Sequence, residues 1–169
     1  MNKTVIFDLD GTLIDSLGDI HAALNDVLQL RNAPPLMLAA VRDLIGKGSA
    51  NLVRRALTAR NLPIDEASCT SALADFLRLY SADSAKLTTI FDGAIDALDR
   101  LQGDGFCLGI CTNKPLEPTK TVLDQFGLTR FFDTIVGGDQ LASRKPDPAM
   151  LFHSMACLGT TSCLFVGDS

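Results

Sequence analysis

The sequence predicts a parallel α/β fold with an all-helical segment inserted near its start, on three observations. Residues 4–7 (TVIF) are apolar and partly β-branched, the pattern of a buried strand. Residues 15–87 then carry only helical periodicity. Beyond residue 87 helical and strand patterns alternate, the rhythm of a Rossmann-like parallel sheet with helices on both faces. The expected domains are therefore a core of residues 1–14 and 88–169 and a helical insert of residues 15–87.

Each element has its own signal. Asp15 or Ser16 can cap a first helix, in which Leu17, Ile20, Leu24, Val27 and Leu28 keep a helical period, and Pro34-Pro35 close it. A second helical run over residues 37–45 stops at Gly46-Lys47-Gly48. Ser49 is expected to cap a third helix holding Leu52, Val53, Ala56 and Leu57, and Asp65 to start a fourth holding Leu73, Phe76, Leu77 and Tyr80. In the core the spacing predicts helices over 94–101, 117–126 and 149–158 and strands over 106–111, 134–136 and 162–166. Phe131-Phe132 reads as core, and His21 and His153 fall inside predicted helices, away from the strand ends.

At 169 residues, 47% hydrophobic and 21% charged, the composition is that of an ordinary globular protein. A formal net charge of -5 and the lack of any basic stripe argue against a nucleic-acid surface. Asp8 and Asp10 interrupt the first apolar run, so neither a secretory nor a membrane-spanning segment is expected, and the cytoplasm is the default compartment. Cys69, Cys107, Cys111, Cys157 and Cys163 form no C-x-x-C pair and read as small hydrophobes in a reducing compartment.

In an open parallel sheet, ligands sit beyond the carboxyl ends of the strands. The polar residues there are Asp8 and Asp10, Thr112 and Asn113, Gly137 to Asp139, and Gly167 and Asp168. Asp8, Asp10 and Asp168 would repel one another unless a hard cation joined them, and an all-oxygen set suits magnesium. A carboxylate can attack phosphorus to give an aspartyl-phosphate, which casts Asp8 as nucleophile. Asp10, two residues on, could protonate the leaving alkoxide and later activate water. Gly11 would let backbone N–H groups approach the phosphoryl oxygens, with Thr112 and Lys145 completing the cradle.

The chain resembles the haloacid dehalogenase superfamily of phosphohydrolases over essentially its whole length. Four motifs stand in order: DLDGT at 8–12, Thr112 with Asn113, Lys145 in RKPDP, and GDS at 167–169. The resemblance implies a C1-type helical cap, a metal bond from the Asp10 main-chain carbonyl, phosphate contacts from Gly11, Thr12, Thr112 and Asn113, charge stabilisation by Lys145, and magnesium held by Asp8, Asp10 and Asp168. Because dehalogenases of the superfamily generally lack the second carboxylate, Asp10 points to a phosphate ester. Gly46-Lys47-Gly48 with Asn113-Lys114-Pro115 is similar to phosphoglycolate phosphatases, so Gly46 and Lys47 are expected on the substrate side and a small phosphorylated metabolite such as 2-phosphoglycolate as substrate. Two other readings stay open: a sugar phosphomutase, and a magnesium- and phosphate-binding protein without turnover. The superfamily pattern also runs on past GDS to another acidic residue, a strand and a helix, so the C-terminal part of the core is expected to be missing, with reduced stability and weak activity.

Overall fold

The computed structural model describes residues 3–46, 48–82 and 85–168. It divides into two compact units, Met1–Asp15 with Thr89–Ser169, and Ser16–Thr88.

The first unit is built on β1, Thr4–Phe7, all four residues of which are buried. Burial on both faces explains why this strand reads as an unbroken apolar run rather than an alternating one. β1 pairs in parallel with β4 (Cys107–Cys111) and β6 (Leu164–Val166), and β4 pairs in parallel with β5 (Thr134–Val136). The sheet order is β5-β4-β1-β6, with β5 and β6 at its edges among the described residues. Helix α5 (Ala94–Gly103) leads into β4, α6 (Leu116–Gln125) connects β4 to β5, and α7 (Ala149–Cys157) connects β5 to β6. On one face Ile6, Cys111, Val136 and Met150 form a buried cluster, against which Leu151, Met155, Leu158 and Phe165 pack. All five cysteines are free thiols, and Cys111 is buried.

One element was not legible locally. Ile14–Asp15 (β2) pairs antiparallel with Thr89–Ile90 (β3), a two-residue ladder joining segments far apart in sequence. Among the described residues no helix is long and apolar enough to cross a membrane.

The second unit packs α1 (Leu17–Gln29), α2 (Leu38–Arg42), α3 (Ser49–Ala59) and α4 (Glu66–Ala82) around a core that includes Leu24, Val27, Leu28, Val53, Leu57 and Phe76. Phe76 and Tyr80 stack with ring centroids 5.5 Å apart. Asp65 caps α4 through the Ser68 N–H at 3.0 Å and the Ser68 hydroxyl at 2.7 Å. Two expectations need correction. The helix expected over 37–45 is only Leu38–Arg42, and Ser49 is the first helical residue of α3, the N-cap position being Gly48 at φ 79°. Such a left-handed backbone suits glycine, which is why a residue without a capping side chain can start this helix. His21 is engaged by the Leu36 carbonyl at 2.9 Å, which Asn25 also holds.

Asp19, in the first turn of α1, is buried and ties down the end of this unit. Its carboxylate accepts the Leu87 N–H at 2.9 Å, the Thr88 N–H at 2.8 Å and the Thr88 hydroxyl at 2.6 Å. Three donors lose a charged acceptor if the carboxylate is removed. Asp19→Ala is expected to destabilise the protein by about 2 kcal/mol in urea melts, whereas a change under about 0.5 kcal/mol would show these bonds to be replaceable by water.

Candidate active site

The site begins where β1 ends. The Asp8 N–H donates to the Val166 carbonyl at 2.8 Å, and the Thr112 N–H to the Val136 carbonyl at 3.0 Å, so the sheet's own hydrogen bonding carries both residues to its carboxyl edge. Asp8 is 5% exposed. Its Oδ1 accepts the Leu9 N–H at 2.8 Å and its Oδ2 lies 2.5 Å from Lys145 Nζ. Burial pushes the Asp8 carboxyl above its ordinary range, against the opposing pull of the Lys145 charge and the Leu9 N–H. The Lys145 contact is a close, charge-assisted pair between a buried carboxylate and a buried ammonium. The ammonium also lies 5.2 Å from the centre of the Phe165 ring.

A tight turn follows. The Leu9 carbonyl accepts the N–H groups of Thr12, Leu13 and Ile14, and Gly11, at φ 83°, donates its own N–H to the Ile14 carbonyl. The N–H groups of Gly11 and Thr12 are thus spent inside the turn, which departs from the expectation that Gly11 opens them to a ligand. What Gly11 supplies is room, since a Cβ there would stand 2.3 Å from Asp168 Oδ2. Thr12 Oγ1 lies 3.5 Å from Asp168 Oδ1, a weak contact. Asp10 Oδ1 lies 3.3 Å from Nζ of Lys114, whose side chain is only 4% exposed. Each of the two carboxylates of the first motif thus has an ammonium of its own.

The loop after β4 is held from several sides. Asn113 uses both ends of its amide on the backbone of Lys145, accepting its N–H at 2.9 Å and donating to its carbonyl at 3.1 Å. Its amide therefore orients Lys145, whose peptide bond to Pro146 is cis. Thr112 Oγ1, buried, accepts the Lys114 N–H at 3.2 Å. The Gly138 N–H donates to the Lys114 carbonyl at 2.8 Å, and Arg144 Nε to the Gly138 carbonyl at 2.7 Å. Asp139 accepts the N–H of Leu116, the first residue of α6, at 2.8 Å, a carboxylate at a helix N-terminus. A Cβ on Gly138 would fall 2.2 Å from the Asn113 carbonyl oxygen, so Gly138→Ala must push this loop aside. The expected cost is about 2 kcal/mol in a urea melt, and an unchanged midpoint would mean that the loop yields freely.

Sequence reasoning placed Asp8, Asp10, Gly11, Thr12, Thr112, Asn113, Lys145 and Asp168 at this edge, and all belong to the first unit. Gly46, exposed and at φ 108°, belongs to the second, and Lys47 lies outside the described residues, as does Ser169. Lys114 and Asp139 were quoted or noted at strand ends without a role. The signal for Lys114 was available, because Lys114-Pro115 repeats the Lys145-Pro146 dipeptide of the RKPDP motif.

Among the described residues no three His, Cys, Asp or Glu side chains cluster to hold a metal. With the Asp10 carboxylate on Lys114, the oxygens that could hold a cation are those of the Asp8 and Asp168 carboxylates and the Asp10 main-chain carbonyl. All are oxygens, which suits a hard divalent ion whose other positions are filled by water and substrate.

Comparison with known proteins decides the family. A family model described as haloacid dehalogenase-like hydrolase matches residues 5–169. The chain belongs to this family. It is therefore an enzyme of the hydrolase class. Similar relatives include a phosphoglycolate phosphatase from Cereibacter sphaeroides, 43% identical over 165 residues, covering 98% of this chain and 76% of the relative. Another, from Pseudomonas putida, is 43% identical and covers 99% of this chain and 62% of the relative. Among solved structures, a predicted phosphoglycolate phosphatase from Haemophilus somnus superposes with a TM-score of 0.88 at 29% identity, covering 99% of this hydrolase and 77% of that chain. A predicted phosphatase from Clostridium acetobutylicum gives a TM-score of 0.84 at 28% identity, covering 99% and 76%.

Proposed function

We propose that this hydrolase is a magnesium-dependent phosphomonoesterase that forms an aspartyl-phosphate on Asp8, with 2-phosphoglycolate, cleaved to glycolate and phosphate, as its substrate. The observation that carries the reading is the buried Asp8 carboxylate against the buried Lys145 ammonium at the end of the central strand. The relatives named phosphoglycolate phosphatase support the substrate.

In the first step an Asp8 oxygen bonds to phosphorus as the bond from phosphorus to the ester oxygen breaks, and Asp10 gives its proton to that oxygen. In the second, water attacks the same phosphorus, Asp10 takes the water's proton, and the Asp8 carboxylate is released. Lys145, held by the Asn113 amide, neutralises charge on the phosphoryl oxygens, and its N–H groups are placed to donate to them. Magnesium, held by Asp8, the Asp10 carbonyl and Asp168, would supply further neutralisation of the phosphoryl group. The helical unit is assigned as the inserted cap that selects the rest of the substrate.

Phosphate release from a panel of 2-phosphoglycolate and several sugar phosphates, with magnesium and with chelator, tests this. The expected result is chelator-sensitive release with kcat/KM for 2-phosphoglycolate at least about 10-fold above the sugar phosphates. Isomerised sugar phosphate without free phosphate would overturn it in favour of a mutase, and a folded protein that releases none from any ester would overturn it altogether.

A further inference from the structure

Lys114 is a lysine in a place that ordinarily excludes one. Its side chain is 4% exposed, and taking an ammonium out of water costs several kcal/mol unless it is paired. A lysine serving only solubility would turn to solvent, as long charged side chains do. Here the side chain turns inward instead. The Lys114 N–H is bound by Thr112 Oγ1 at 3.2 Å, and its carbonyl accepts the Gly138 N–H at 2.8 Å. A residue held through both its N–H and its carbonyl has a fixed backbone from which its side chain leaves, and that side chain, buried along its length, ends 3.3 Å from Asp10 Oδ1.

We infer that Lys114 is a positioning residue for the acid–base step, fixing the carboxylate of Asp10 by its Oδ1 so that the proton passes through Oδ2. The inference rests on the reading of Asp10 given above and extends it to a residue to which that reading gave no part. General acid catalysis demands hydrogen-bond reach to the ester oxygen, and any carboxylate left to turn about its side-chain bonds keeps that reach only part of the time. Holding one oxygen removes that freedom before the substrate arrives.

The role has a signature that plain destabilisation lacks. An alkyl ester needs its leaving oxygen protonated, whereas p-nitrophenyl phosphate expels a stable phenolate without help. Phosphate release is to be measured on 2-phosphoglycolate and on p-nitrophenyl phosphate with the full chain, Lys114→Met, Lys114→Arg and Asp10→Asn. Lys114→Met is expected to lose about 100-fold in kcat/KM on the alkyl ester and under about 5-fold in kcat/KM on the aryl ester, a quantity that leaves out the hydrolysis of the aspartyl-phosphate common to both, with Lys114→Arg recovering part of the alkyl activity. Equal losses on both esters, no loss on either, or a rise in KM alone for the carboxylate-bearing substrate would overturn the assignment while leaving Asp10 in place. If Asp10→Asn itself shows no leaving-group dependence, the acid–base reading of Asp10 fails first, and the inference falls with it. Should Lys114→Met not fold, Lys114→Ala, which likewise takes the donor away from Oδ1, takes its place with the same expectation.

Discussion

Asp8→Asn is expected to abolish phosphate release, by at least about 10⁴-fold, while leaving a cooperatively folded protein. An amide has the shape of the carboxylate but no anionic oxygen to attack phosphorus. Its carbonyl oxygen can still accept the Leu9 N–H, so the turn that begins at Asp8 keeps its first bond. The charge lost is the one opposite Lys145, and with no acid left to pair it the ammonium faces the phosphate site alone. Substrate phosphate should therefore still bind, and a thermal shift with inorganic phosphate should survive the substitution. Chelator-sensitive release at more than about one hundredth of the wild-type rate in a clean preparation would remove Asp8 as the nucleophile.

The sequence was read well where local chemistry and three-dimensional role coincide. β1 is apolar because it is central and covered on both faces, and β5 falls on residues 134–136 because a short apolar run there is bounded by Asp133 and Gly137. Helix α4 starts at Asp65 because aspartate side chains bond N–H groups three residues on, wherever the rest of the chain lies. Long-range partners were not legible. Ile14–Asp15 looks like the end of a turn, and only the returning chain at Thr89–Ile90 makes it a strand. Gly48 starts α3 through its backbone conformation, which leaves no side-chain trace in the sequence.

The same division holds at the site. Asp8, Asp10 and Asp168 could be picked out because strand ends in a parallel sheet share one edge, and Lys145 because RKPDP resembles a superfamily motif. What they pair with could not, because those pairings depend on loops meeting across sequence distance. The Asp8, Asp10 and Asp168 carboxylates suggested a single cation as the answer to their mutual repulsion. In the structure two lysines, each followed by a proline, compensate two of the three. Asn113 suggested a phosphate contact by its place after a strand, yet its amide is engaged on the Lys145 backbone across the loop. A short amide side chain is well suited to that, presenting a donor and an acceptor side by side to one residue's N–H and carbonyl.

Lys145→Met is expected to lower phosphate release about 10³-fold and also to destabilise the fold by about 3 kcal/mol near neutral pH. The second effect has a pH dependence whose sign follows from Asp8. Burial already raises the Asp8 carboxyl against the pull of Lys145, so removing the lysine raises it further. With the folded-state pKa above the unfolded one, the native state binds more protons between the two values, and stability falls as pH rises through that interval. The penalty is therefore absent below the ordinary carboxyl range and complete above the raised folded-state value. Urea melts of the variant and the wild type should differ most above the raised folded-state value and converge as pH falls to the ordinary carboxyl range, where a protonated Asp8 no longer needs a partner. Adding Asp8→Asn to Lys145→Met should restore most of the stability at neutral pH, since it removes the orphaned charge, while leaving activity absent. A gap independent of pH and unrepaired by the second substitution would assign the loss to packing against Phe165 instead of to the ion pair.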